Sequence, residues 1–216
     1  MNGEHLTGTA VIDGRGPGMA PVDAPSGFQK FLGIEIELEA PHQLECPIVM
    51  DATVRQIDGF RFLYVLPFSP TRILVEETYF SQSPKLFIET TRQRLLAEIA
   101  QRRWRIAEAL REEVGVLPMP YGGSTEVSPN HAVQVGYAGG WFHPATGYSF
   151  PIAVRVAHAV SIAPAHEIEG RDWIELRDRH ADQTRFAHFL NRMLFTCFEQ
   201  DQMWNVFDRF YRLPES

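Results

Sequence analysis

Gly59-Phe60-Arg61-Phe62-Leu63-Tyr64-Val65-Leu66-Pro67-Phe68-Ser69-Pro70, followed by Arg72-Ile73-Leu74-Val75-Glu76-Glu77-Thr78-Tyr79-Phe80, is the stretch whose reading decides the fold. In an extended chain successive side chains point to opposite faces, so Phe60, Phe62 and Tyr64 share one face while Arg61, Leu63 and Val65 share the other. Pro67-Phe68-Ser69-Pro70 supplies a turn, because proline fixes φ and offers no N–H to a ladder. The run from Arg72 to Phe80 therefore reads as the hairpin partner of the first. Working outward toward the N-terminus, Gly33 to Glu39 alternates Ile34, Ile36 and Leu38 with Glu35, Glu37 and Glu39, which predicts a half-buried strand with an acidic outer face. The whole span from Gly27 to Phe80 is mostly extended.

Toward the C-terminus the period changes. Ser83-Pro84 has the chemistry of a helix start, a serine cap before proline at the first position, and Leu95, Leu96 and Ile99 supply an inward stripe ending near Arg103. Trp104 to Pro118 admits two readings: Ile106, Ala107 and Leu110 suit a helix, whereas Val114, Val116 and Leu117 suit a strand, which is preferred for the second half. Val133-Gln134-Val135 reads as a strand entering the loop Gly136-Tyr137-Ala138-Gly139-Gly140, and Ser149-Phe150-Pro151 opens a helix reaching about Ile162. Phe186, Phe189, Leu190, Met193, Leu194 and Cys197 then recur at helical spacing, and an aromatic-rich helix continues through Trp204, Phe207 and Phe210. The sum is an α+β chain, an antiparallel sheet followed by helices.

Composition narrows the function. With 216 residues, 44% of them hydrophobic, the chain can bury a core of one large domain or two small ones. A formal charge of −7, with no basic run longer than Arg102-Arg103, argues against nucleic-acid binding. Cys46 and Cys197 lack CxxC spacing, so neither a disulfide framework nor a thiolate metal site is predicted, and a reducing, cytoplasmic compartment is the expectation. No window reaches the ~18 apolar residues of a membrane span, and Met1 to Ala10 lacks the features of a signal peptide. The eight histidines show no HExxH, so no metal is expected, and no GxSxG marks a hydrolase. Val11-Ile12-Asp13-Gly14-Arg15-Gly16-Pro17-Gly18 reads as a strand end and a glycine loop; its GxG lacks the third glycine and the helix of a dinucleotide fingerprint.

Two constellations could carry chemistry. Glu76 and Glu77 are adjacent in an extended run and must point to opposite faces: Glu76 with Leu74, Thr78 and Phe80, Glu77 with Ile73, Val75 and Tyr79. Apolarity does not choose between them. A carboxyl on an apolar face keeps its proton more readily and becomes a usable acid, while an exposed acidic pair is the plainer alternative. Phe60, Phe62 and Tyr64 could stabilise a cation through their ring faces, or could simply be sheet core. The second constellation is the strand, glycine loop and helix around Gly136 to Ser149. A helix N-terminus suits phosphate or pyrophosphate, and the same unit could equally be a tight crossover.

Several segments together resemble the lycopene cyclase family. They are Val11-Ile12-Asp13-Gly14-Arg15-Gly16-Pro17, Gly27-Phe28-Gln29-Lys30-Phe31-Leu32-Gly33, Pro47-Ile48-Val49-Met50-Asp51-Ala52-Thr53-Val54 and Leu74-Val75-Glu76-Glu77-Thr78-Tyr79. They continue with Gly115-Val116-Leu117-Pro118, Phe142-His143-Pro144-Ala145-Thr146-Gly147-Tyr148-Ser149 and Arg209-Phe210-Tyr211-Arg212-Leu213-Pro214, in the family's order and across nearly the whole chain. The resemblance implies part of an FAD/NAD(P)-binding flavoprotein fold. Residues 1–26 would be a remnant of the cofactor domain, 27–120 a mainly β substrate and catalytic region, and 121–216 a second cofactor contact with C-terminal helices.

The resemblance also implies roles. Glu76, the first of the pair, would be the acid–base residue, with Glu77 beside it and Asp51 as a further candidate. His143, Pro144, Thr146, Gly147 and Ser149 would form a flavin contact, joined by the loop glycines Gly136, Gly139 and Gly140. The implied activity is that of a lycopene β-cyclase, an isomerase of the intramolecular lyase type. It would close the ψ-ends of a linear carotene with reduced FAD in a non-redox role, NAD(P)H as reductant and peripheral contact with a membrane. The family's opening GxGxxG unit has no counterpart here, and members usually continue beyond Leu213-Pro214-Glu215-Ser216. The expectation is therefore an incomplete chain short of at least one ~30-residue βαβ unit, with a weakened hold on FAD. Rival expectations are a redox flavoenzyme of the same fold, such as a hydroxylase, and a non-catalytic fragment that binds apolar ligands or a membrane surface through the Phe186 to Cys197 helix.

Overall fold

In the computed structural model, which describes residues 7–14, 16, 25–122 and 132–214, the chain runs β1 (Ile12–Asp13), β2 (Ser26–Leu38), β3 (Ile48–Asp51), β4 (Phe60–Pro67), β5 (Arg72–Ser81) and α1 (Ile88–Gln101). It continues through β6 (Ile106–Pro120), β7 (Val133–Gln134), α2 (Phe150–Ile162), α3 (Arg171–Thr196) and α4 (Met203–Tyr211). Arg15, Pro17 and Gly18 of the opening glycine loop lie outside the described residues. The contacts divide the chain into two compact units, Ser26–Met119 with Arg192–Ser216, and Met1–Pro25 with Pro120–Asn191. The segment 121–216, read as one piece from sequence, contributes to both, because the unit boundary falls within α3.

The first unit is built on a five-stranded sheet in the order β3-β4-β5-β2-β6. β4 and β5 form the expected hairpin in an unbroken antiparallel register from Phe60 opposite Phe80 to Pro67 opposite Ile73. β2 lies on the other side of β5, antiparallel, with Gly33 opposite Glu76 and Leu32 opposite Glu77. Alternation then sorts the side chains. One face gathers Leu32, Ile34, Ile36, Leu63, Val65, Ile73 and Val75 against Leu95 and Ile99 of α1, all nearly or fully buried. The opposite face carries Phe60, Phe62, Tyr64, Glu76, Thr78 and Phe80. There α4 lays Phe207 over Phe60, ring centroids 4.4 Å apart and stacked, with Phe80 5.7 Å away.

Four local expectations are corrected. α1 begins at Ile88, not after Ser83-Pro84. The buried Lys30 ammonium takes the Ser83 and Lys85 carbonyls at 2.9 and 2.7 Å, together with Asp58, and carbonyls aimed at it cannot start a helical ladder. The segment after α1 is strand in both halves. Arg103, with φ +60°, turns the chain out of the helix, and β6 runs from Ile106 along the edge beside β2. The acidic outer face of β2 is not uniformly exposed, since Glu35 is buried between Arg72 and Arg111. Finally, the inward stripe of α3 runs through Thr184, Ala187, Asn191 and Leu194, while Phe186 and Phe189 are exposed. Asn191 can face inward because its amide donates to the Pro120 and Pro144 carbonyls at 2.9 and 2.8 Å.

The second unit pairs β1 with β7 in parallel, Ile12 opposite Val133. Its core is Val133, Trp141, Ile152, Val156, Ile168 and Trp173. Between β7 and α2 the chain makes a 3₁₀ turn over Gly136–Gly139 before Trp141 enters the core. α2 starts after Ser149 with Pro151 in its first turn, as the sequence predicts. Among the described residues no helix is long and apolar enough to cross a membrane.

Candidate active site

The hairpin register separates the two adjacent glutamates. Glu77 is fully buried on the α1 face, where Arg61 grips it with two nearly parallel bonds, Nε to Oε1 at 3.0 Å and Nη2 to Oε2 at 3.1 Å. Arg94 of α1 adds Nε to Oε1 at 3.1 Å, and the Tyr79 hydroxyl donates to the same oxygen. Arg61 also reaches Glu98, so the cluster ties β4 and β5 to α1. A carboxylate so fully occupied forms the centre of a buried ion-pair cluster.

Glu76 has other company. It stands half-buried on the aromatic face, flanked by Tyr64 on β4 and Gly33 on β2. Its one described hydrogen bond comes from Thr78, whose hydroxyl donates to Oε1 at 2.6 Å, and none of the described ion pairs includes it. Burial pushes the Glu76 carboxyl above the ordinary carboxylate range, the Thr78 bond partly opposes this, and the charge of Glu113 raises it further. Burial likewise raises the Tyr64 phenol, helped by Glu76 and by Tyr211 of α4. Glu76 thus continues a row of rings: Phe60 and Phe62 lie 5.1 Å apart, and Phe62 and Tyr64 meet edge-on at 5.2 Å. Where Phe60 meets α4 the face opens into a cleft of about 440 Å³, lined by Val49, Met50, Phe60, Trp204, Phe207 and Tyr211 among others.

Asp51 is placed elsewhere. Its backbone pairs with Leu63, on the α1 face, and its carboxylate accepts from Arg102 at 2.8 Å and from the Thr53 amide and hydroxyl at 3.0 and 2.6 Å. It closes a turn and anchors the end of α1.

In the second unit, His143 to Ser149 forms a tight turn before α2. The Thr146 and Gly147 amides donate to the His143 carbonyl, the His143 amide donates to Tyr148, and Thr146 Oγ1 lies 3.2 Å from His143 Nδ1. Tyr137 reaches over to donate to the Gly147 carbonyl at 2.5 Å, and its ring stacks on Phe142. Pro144 is buried, its carbonyl held by Asn191. Burial, and then the neighbouring His180, lowers the His143 imidazole, which is therefore neutral at physiological pH. The three loop glycines differ. Gly136 and Gly140 have positive φ, and a Cβ on either would meet nothing within 4 Å; on Gly139 it would stand 2.3 Å from the Gln134 carbonyl oxygen. Gly139 serves the packing of the turn, whereas at Gly136 and Gly140 the Cβ side is open space.

The structure therefore groups the predicted residues in two places, Glu76 with its aromatic row in one unit and the glycine and His143–Ser149 turns in the other, and separates Glu77 and Asp51 from Glu76. Sequence reasoning missed the clamp of Arg61 and Arg94 and the proximity of Glu113 to Glu76. Both depend on which elements pack together, information that residue spacing does not carry. Among the described residues no three His, Cys, Asp or Glu side chains converge as a metal set.

Comparison with known proteins gives concordant results. The family model described as lycopene cyclase protein matches residues 1–216. A lycopene beta-cyclase of Pantoea ananas is 42% identical over 99% of this chain, and one of a Paracoccus species is 41% identical over 98%. The match takes up 56% of each of those proteins, so the chain spans a little over half the length of the curated relatives it matches. Among solved structures, a geranylgeranyl bacteriochlorophyll reductase-like protein of Thermoplasma acidophilum superposes on 95% of this chain and 51% of its own, with a TM-score of 0.50 and 12% identity. At that identity the likeness is one of fold.

Proposed function

The chain belongs to the lycopene cyclase family, and from that premise we propose that it serves the acid-catalysed, non-redox closure of the ψ-ends of a lycopene-like carotene to β-ionone rings, with Glu76 as the acid. The observation that carries this reading is the position of Glu76, a carboxyl that burial raises above the ordinary carboxylate range, at the end of the Phe60, Phe62 and Tyr64 row, while Glu77 is held by two arginines.

In the first step the O–H bond of Glu76 breaks and a C–H bond forms at a terminal alkene, whose electron pair leaves a tertiary cation. The next alkene attacks that cation and closes the six-membered ring. Loss of a ring proton to a carboxylate on this face, Glu76 having just become one, restores neutrality and forms the ring double bond. Atoms are conserved, so the reaction is an isomerisation. Tyr64, half-buried beside Glu76, offers its ring to the cationic stages, with the buried Phe62 and Phe60 packed behind it.

The second unit fits a flavin. Gly136 and Gly140 allow close backbone approach, and the His143–Ser149 turn leads into the N-terminus of α2. His143, Pro144, Thr146, Gly147 and Ser149, with Gly136 and Gly140, would hold FAD, and Gly139 would shape the turn beneath it. When bound and reduced, with NAD(P)H as the electron source, the flavin supplies an electron-rich surface that favours positive charge nearby. A carotene is carried in lipid, and the exposed Trp204, Phe210, Tyr211 and Leu213 beside the cleft are suited to peripheral contact with a bilayer surface.

The test is ring formation from lycopene by the full chain with reduced FAD, read by chromatography of the extracted carotenes. Glu76→Gln should lower the yield by roughly 10²- to 10⁴-fold, the usual worth of a general acid. Ring formation by this variant at the parent rate would exclude Glu76 as the acid.

A further inference from the structure

Glu76 on β5 faces Gly33 on β2, and β6 runs on the far side of β2. Because Gly33 has no side chain, the sheet face carries a gap between β5 and β6. A Cβ built at Gly33 would stand 3.2 Å from Cγ of Glu113, 3.3 Å from Cδ1 of Leu74 and 3.4 Å from Cβ of Glu76. Glu113 and Glu76 thus close on the same point from opposite sides, although strands two apart are separated by roughly 9–10 Å. Glu113 is half-buried, and its Oε2 lies 3.4 Å from Nη1 of Arg111, whose Nε is already committed to Glu35. Thr78 occupies Oε1 of Glu76, which leaves Oε2 to carry a proton.

Resting on the reading of Glu76 as the acid, we propose that Glu113 is a positioning residue for it: leaning over the gap at Gly33, its Arg111-paired carboxylate holds the proton on Glu76 until an alkene takes it. The physical cause is like-charge repulsion across a partly desolvated space, in which two neighbouring carboxylates do not readily ionise together. The other groups around Glu76 do not supply this. Tyr64 on β4 is neutral at physiological pH, Thr78 favours the ionised form, and Arg72 and Arg111 are engaged with Glu35. The same repulsion acts after donation. Once Glu76 is an anion beside Glu113, it is driven to recover a proton, which ring closure releases. Gly33 is then required by the pair, since any side chain there would part the two carboxyl groups.

The experiment is a carboxyl ¹³C NMR titration of the full chain with labelled glutamate, the Glu76 resonance being assigned by its loss in Glu76→Gln. Glu113→Gln should move the Glu76 midpoint to lower pH, Gly33→Ala should move it the same way, and Glu113→Asp should restore part of the shift. In the ring-formation assay the deficit of Glu113→Gln should grow as pH rises, because the variant loses the protonated acid sooner. An unmoved midpoint in a folded Glu113→Gln chain, judged by its amide spectrum, overturns the role of Glu113; if that variant does not fold, an unmoved midpoint in Gly33→Ala does so. The titration reads the pairing whether or not rings form. A moved midpoint in a chain whose Glu76→Gln variant still cyclises would refute Glu76 as the acid and leave the pairing intact.

Discussion

Glu76 and Glu77 are chemically identical and joined by one peptide bond, yet the two faces of the sheet give them opposite tasks. On the α1 face, beside the aliphatic core, the carboxylate is locked by Arg61, Arg94 and Tyr79. On the aromatic face the half-buried carboxyl has one described hydroxyl partner, and burial raises it above the ordinary carboxylate range. The difference teaches that burial alone does not make an acid. What matters is whether burial comes with a cation, and in this chain a period of two residues decides that.

The largest effect expected from breaking the contrast is at Glu77. Glu77→Ala leaves two guanidinium groups facing an empty buried site, and losing one partner of such a cluster costs about 3–5 kcal/mol. A urea midpoint read by circular dichroism should fall accordingly. A near-neutral result would mean that Arg61 and Arg94 find other partners. Asp51→Ala should cost less, on the order of 1 kcal/mol, because its pair with Arg102 is partly solvated and its turn with Thr53 is local. The smallest effect is at Glu76, and its size depends on pH. Its folded midpoint lies above the unfolded one, so the stability this group contributes is complete below the ordinary carboxylate range and is lost as pH rises through the raised midpoint. Glu76→Gln should therefore match the parent near pH 4 and be modestly the more stable near pH 8. The reverse order would mean that folding lowers the Glu76 midpoint instead of raising it.

Much of this contrast is legible in residue order. Alternation along Phe60–Tyr64 and Leu74–Phe80 places the aromatic row beside one glutamate, and the proline-rich turn joins the two strands. The opening of α2 at Ser149-Phe150-Pro151 is equally local and equally readable. What the order of residues conceals is non-local. The apolar residues around Glu77 look as welcoming to a neutral acid as those around Glu76 until α1 delivers Arg94. Ser83-Pro84 has the chemistry of a helix start, yet Lys30, far away in sequence, takes the carbonyls of that segment. Glu113 comes near Glu76 only because β6 adds itself beside β2 and because position 33 has nothing to put in the way.

The stacking of Phe207 on Phe60 and its approach to Phe80 also bear on how the chain is made. On a ribosome, β4 and β5 emerge long before α4, so the ring-lined side of the nascent hairpin meets solvent, and neighbouring nascent chains, with its own cover still untranslated. That interval exposes adhesive surface and makes self-association the characteristic hazard of synthesis. Slower translation of the segment between β5 and α4 would lengthen it, and a holdase that shields aromatic surface would raise soluble yield without altering the finished protein.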